Sequence, residues 1–189
     1  RAADAPAATL DPDRIHVQTS NRQGVLFVPP AGCASPSDAA CLPAGYAPAG
    51  SSSRTLVVRA YYVSSGSTLR PGMPALRRKS FGNVNAGAAS DAVTDEEIVA
   101  GVEDLQLRFG VDHDGDGSID AEARPGHVPA GSTVVAATLW LRVRAEQRDP
   151  GYRDHTAWRY ADMAEPFVAG DAFRRVILSR TIQLRNASS

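Results

Sequence analysis

An α+β architecture, mainly antiparallel β sheets with one short helix, is expected of this chain on three observations. Gly (16) and Pro (13) are scattered through it and cut it into short segments. Those segments alternate apolar and polar residues with a period of two, the spacing of a half-buried strand. One stretch departs from that period: Thr94-Asp95-Glu96-Glu97, followed by Ile98, Val99 and Val102, has the capping box and acidic first turn of a short helix.

With 189 residues and 43% hydrophobic content the chain can bury one core of ordinary size, and residues 1–189 read as a single domain. Its charges nearly cancel, 20 Lys and Arg against 21 Asp and Glu. A net charge of −1 gives no broad attraction for nucleic acid or an anionic membrane, and neither is an expected partner. No run of about 18 apolar residues is present. The chain opens on Arg1 without a signal layout or cleavage motif, and reads as a piece of something longer.

In chain order, Val25-Leu26-Phe27-Val28 is the first strand, ended by Pro29-Pro30 because proline cannot donate to a ladder. The loop from Pro29 to Ser53 is rich in Pro, Gly, Ala and Ser and carries Cys33 and Cys41. A local disulfide in an oxidising compartment is the simplest reading; two free thiols in a cytosolic loop are the alternative, and no histidine lies near enough to complete a zinc site. Residues 54–63 are β-branched and aromatic on both faces, as expected of a central strand in the core. Met73 to Phe81 supplies another strand, with Arg77-Arg78-Lys79 as its solvated end. Asn83 to Ser90 is a Gly/Ala/Asn loop, and the short helix follows it.

From Leu105 the period is two: Leu105, Leu107, Phe109 and Val111 share one side, Gln106 and Arg108 the other. The longest strand pattern follows, with Val135, Ala137, Leu139, Leu141 and Val143 alternating with Trp140, Arg142 and Arg144. A last strand over about 173–184 carries Val176, Leu178, Ile182 and Leu184 on one face, interrupted by Arg180. Either Arg180 lies beyond the covered core or a bulge shifts the register there. The closing Asn186-Ala187-Ser188 meets the glycosylation pattern only formally.

Between the two longest strands lies Asp112-His113-Asp114-Gly115-Asp116-Gly117-Ser118-Ile119-Asp120. Carboxylates at alternating positions, with Gly117 at the sharp turn, offer a hard cation several oxygens from one loop. Asp112, Asp114, Asp116, the Ser118 carbonyl and Asp120 fit the first five ligand positions of a calcium loop, and the expected cofactor is Ca2+. The twelfth position is Ala123, where a bidentate glutamate belongs, and Glu122 comes one residue early. A plain hairpin turn is the competing reading, since Asp-Gly pairs also suit tight turns. So many carboxylates, however, repel one another unless a cation or a basic side chain neutralises them.

No catalytic site is expected. The chain has no Gly-x-Ser-x-Gly elbow, no His-Glu-x-x-His, no phosphate loop and no dinucleotide fingerprint. His16, His113, His127 and His155 are dispersed among polar or turn-forming neighbours. Trp140 reads as packing in the best strand, and Trp158 remains a possible recognition aromatic.

The segment Glu97 to Asp112, continuing through the Asp-Gly-Asp-Gly loop, resembles the signature region of PilW-type minor pilins of type IV pili. Tyr61-Tyr62-Val63 with Leu76-Arg77-Arg78, the strand Val134 to Arg144, and the stretch Phe173-Arg174-Arg175-Val176 to Leu184-Arg185-Asn186 resemble that family in the same order. The likeness covers roughly 54–186. It implies a pilin-like globular head whose long amphipathic N-terminal helix, membrane-anchoring before assembly, is absent from this sequence. It further implies a subunit at or near the pilus tip that docks to other minor pilins, and also to the major pilin or a tip adhesin, to begin a fibre serving motility, adhesion or DNA uptake. The implied location is the periplasmic face of the inner membrane and the extracellular pilus of a Gram-negative bacterium. A tip-displayed adhesin or surface-recognition module, using the 29–53 loop, is the alternative. A J-type pseudopilin of type II secretion is the more distant relative, against which the acidic loop and the Arg-rich last strand favour the pilus.

Overall fold

A computed structural model describes residues 9–82, 84 and 93–184. These form β1 (His16–Ser20), β2 (Gly24–Phe27), β3 (Ser51–Thr55), β4 (Arg59–Ser64), β5 (Ala75–Phe81), β6 (Val93–Ala100), β7 (Val102–Asp112), β8 (Ala121–Ala123), β9 (Thr133–Arg144) and β10 (Arg175–Gln183). The only helical element among them is a three-residue 3-10 turn, Ala39–Cys41. The expectation of an α+β fold is therefore wrong, and the architecture is all-β, in three sheets ordered β2-β1-β3, β4-β5-β6 and β10-β9-β7-β8. The chain divides into two compact units, Arg1–Tyr61 with Arg78–Glu96 and Tyr62–Arg77 with Glu97–Ser189.

The expected helix over 94–102 is strand β6. Val93, Thr94, Ile98 and Val99 are β-branched and lose rotamer freedom in a helix. The acids read as a helical first turn are cross-strand partners of the basic triplet on β5: Glu96 pairs with Arg78, and Glu97 with Arg77 at 3.6 Å. The triplet accordingly lies mid-strand and is not a solvated end, with Arg77 and Arg78 half-buried and only Lys79 exposed. Gly101, with φ +94°, then joins β6 to β7; a Cβ there would stand 2.9 Å from the Arg144 carbonyl oxygen.

In the first unit Leu10, Cys41 and Leu42 form a small core, with Phe27, Cys33 and Tyr46 packed on it. The 29–53 loop is ordered around that core by the Cys33–Cys41 disulfide, whose Cα atoms lie 5.3 Å apart, and by Asp38, which accepts from the Ala40 N–H at 2.9 Å. The central strand expected over 54–63 is instead two strands in different sheets, broken at 56–58, with Val57 67% exposed. β-propensity on both sides of a segment records that it can pair, not that both sides are covered. The glycine-rich loop at Asn83 to Ser90 and the Asn186-Ala187-Ser188 pattern lie outside the described residues, save Val84.

The second unit is built on β9, which pairs antiparallel with β7 on one side and β10 on the other. Leu105, Leu107 and Phe109 stand opposite Leu141, Leu139 and Ala137, and Leu178 and Ile182 continue these rows on β10. The register with β9 runs unbroken from Arg175 to Gln183. Of the two readings of Arg180, the bulge is excluded, and the residue lies where β10 is exposed.

Candidate functional site

The large sheet is polarised against the usual rule. Its polar side is the covered one. A bulge at Glu103 turns both Glu103 and Asp104 to that side, where Arg142, Arg144 and Arg175 meet Glu103. Arg175, its side chain 2% exposed, donates to Glu103 at 2.7 and 2.9 Å, to Asp171 at 2.7 and 2.8 Å and to Asp154 at 3.2 Å. Hydrogen bonding to Asp171 and then Glu103 pushes the Arg175 guanidinium up from its ordinary pKa, and Arg175 in turn holds Asp171 down at about 2. The irregular stretch after β9 seals the network: Trp158 Nε1 donates to Asp154 at 3.1 Å, Tyr160 donates to Asp104 at 2.6 Å, and Arg142 lies 3.6 Å over the Phe167 ring. Trp158 is thereby a structural hydrogen-bond donor. No spacing in the sequence announces this network, because its members come from four separated segments.

The opposite, apolar side is the open one. Val176, Leu178 and Ile182 are 48%, 53% and 53% exposed, and Leu105, Leu107, Leu139 and Leu141 beside them are only half-buried. Leaving such a row in water forgoes about 25 cal/mol per Å2 of burial, and a patch of this kind marks an interaction surface.

At the far end of β7 the acidic loop turns back. Asp112 is buried and accepts from the Gly115 and Gly117 N–H groups at 2.7 and 2.9 Å; the Gly117 bond and then the Gly115 bond hold its carboxyl below the usual range. Asp114 and Asp116 accept from the Asp116 and Ser118 N–H groups at 3.1 and 2.7 Å. One oxygen from each of Asp112, Asp114 and Asp116 lies within 4.8 Å of the others. Two ligands of one calcium ion stand at most about 5 Å apart, so these three suit a shared cation. Asp120 accepts from the His113 N–H at 2.7 Å and is not among the three carboxylates that converge. Glu122 pairs with Arg108 at 2.6 Å. Ile119 folds back over Gly110, where a Cβ would lie 2.9 Å from it.

Beside the loop is a cleft of about 380 Å3 lined by Arg108, His113, Glu122, Arg124 and His127. Its arginines are already engaged, Arg108 by Glu122 and Asp162, and Arg124 by Asp162 at 3.3 Å. The histidines are spread through the fold. His16 is fully buried and bonded to Asp11, His113 meets Ser132, and His127 meets the Pro125 carbonyl.

The family model of the type IV pilus-assembly protein W matches residues 60–186. The chain belongs to the PilW family. No curated protein and no solved structure matches it. PilW is a family of pilus assembly, not a known enzyme family, and its match spans the whole of the large sheet and its covering stretch.

Proposed function

We propose that this PilW protein is a minor pilin that helps initiate type IV pilus assembly at or near the fibre tip, docking to other minor pilins. The inverted polarity of the large sheet carries the reading. A soluble domain that buries its charges and exposes Leu178 and Ile182 is built to complete itself against something apolar. An amphipathic helix of the kind found in the family supplies matching chemistry for that face, which leaves sheet edges and loops for neighbouring subunits and, with them, the major pilin. On this reading the protein works at the periplasmic face of the inner membrane and in the fibre of a Gram-negative bacterium. The acidic loop holds a calcium ion through Asp112, Asp114 and Asp116, stiffening the β7–β8 corner.

The test is complementation. In a strain lacking this gene, the wild-type gene restores surface pili, and Leu178→Asp does not, although its purified head melts within about 0.5 kcal/mol of wild type, as an exposed substitution should. Full piliation with Leu178→Asp would overturn the role of the face. Tip-adhesin function is favoured by one observation, the disulfide-tied order of the 29–53 loop. It requires normal pilus numbers with lost attachment when that loop is replaced.

A further inference from the structure

The two edges of the large sheet are unlike. On one side β8 has three residues, and its Glu122 is tied to Arg108. Short, charged edges of this kind discourage further pairing. On the other side β10 runs nine residues in unbroken register, with neither proline nor glycine, and its closest neighbour is β9 alone.

The direction of its main chain follows from its ends. Leu184 N donates to the Val135 carbonyl at 2.8 Å, and Ala145 N to the Arg174 carbonyl at 2.8 Å. Even-numbered residues therefore turn their polar groups toward β9. Ile177, Ser179, Thr181 and Gln183 turn theirs to the outer edge. The even side chains form the exposed row Val176, Leu178, Arg180 and Ile182, in which Arg180 makes no ion pair among the described residues.

Resting on the pilus-assembly reading, we propose that the β10 edge receives an extended strand donated by a neighbouring pilus subunit. The strand bonds to the main chain of Ile177, Ser179, Thr181 and Gln183. It carries apolar side chains beside Val176, Leu178 and Ile182 and an acid beside Arg180. Main-chain bonding gives such strand addition its affinity, and alternate side chains give it selectivity. A second copy of β10 is a poor donor, because it brings another arginine and no acid.

The experiment is amide hydrogen exchange on this protein mixed with the purified heads of the other minor pilins from the same organism. Binding should slow the amides of Ile177, Ser179, Thr181 and Gln183 at least tenfold, leaving Leu178 and Arg180, already bonded to β9, little changed. Ser179→Pro, which removes an outward donor, and the exposed charge reversal Arg180→Glu should each weaken binding at least tenfold. Binding without the alternating protection, or undiminished in Arg180→Glu, overturns the strand addition and leaves the assembly role standing. Protection that appears with this protein alone, rising with its concentration, overturns the donated strand in favour of self-pairing. No binding to any of those heads overturns both readings.

Discussion

Glu97 shows how one side chain can change meaning between sequence and fold. Its carboxylate accepts from the Ser67 hydroxyl at 2.5 Å and from the Thr68 N–H and hydroxyl at 2.6 and 2.8 Å, and these bonds, Ser67 first, hold it at about 2 instead of the ordinary 4.5. A carboxyl depressed in the folded state stabilises it above the unfolded pKa, and that contribution is lost as pH falls from about 4.5 toward 2. In Glu97→Gln, the melting temperature at pH 7 should drop, and its further decline between pH 4.5 and 2 should be shallower than in wild type. Asp171, also held at about 2, keeps the remaining slope. A variant as steep as wild type across that window would show that Glu97 is not the group responsible. The residue was legible as an acid in a capping pattern. Its partners, some thirty positions upstream, were not, because local spacing cannot distinguish a helical first turn from one side of a cross-strand ladder.

At the scale of elements, β7, β9 and β10 were readable because alternation with a period of two is local and survives any tertiary context. The bulge at Glu103 was not, because only the paired strand reveals that two residues stand opposite one. Its energetic weight is testable. Removing one member of a buried ion cluster strands the others, at a cost of about 3–5 kcal/mol. Arg175→Ala should lower stability by that amount in urea unfolding, and Arg175→Lys should recover only part of it, since an ammonium lacks the planar fork that reaches Glu103, Asp154 and Asp171 together. An Arg175→Ala protein as stable as wild type would reduce the cluster to a surface feature. The acidic loop is the opposite case: its carboxylates were plain in the sequence, but which of them converge was not. Millimolar calcium at about 100 times the dissociation constant should add about 2.7 kcal/mol, reversibly with chelator, and Asp114→Ala should abolish the gain. Identical melting with calcium, with chelator and in Asp114→Ala would leave the loop held by its Asp–N–H bonds alone.

For the molecule as a whole, the family was within reach of the sequence because its signature stretches are contiguous, whereas the division into two units was not, since each unit takes segments from two places in the chain. The same interleaving governs how the protein reaches its fold. Glu103 meets Arg175 across 72 positions, and β9 gains its second neighbour only when β10, the fourth strand of the sheet, arrives. Non-local pairing of this kind slows folding, because loop closure must precede any reward. A chain made amino end first thus exposes Glu103 ahead of all three arginines that neutralise it, and the last of these, Arg175, follows 72 positions later. Completion of the charge cluster waits on the last guanidinium of the set, the one that ties Glu103, Asp154 and Asp171 together.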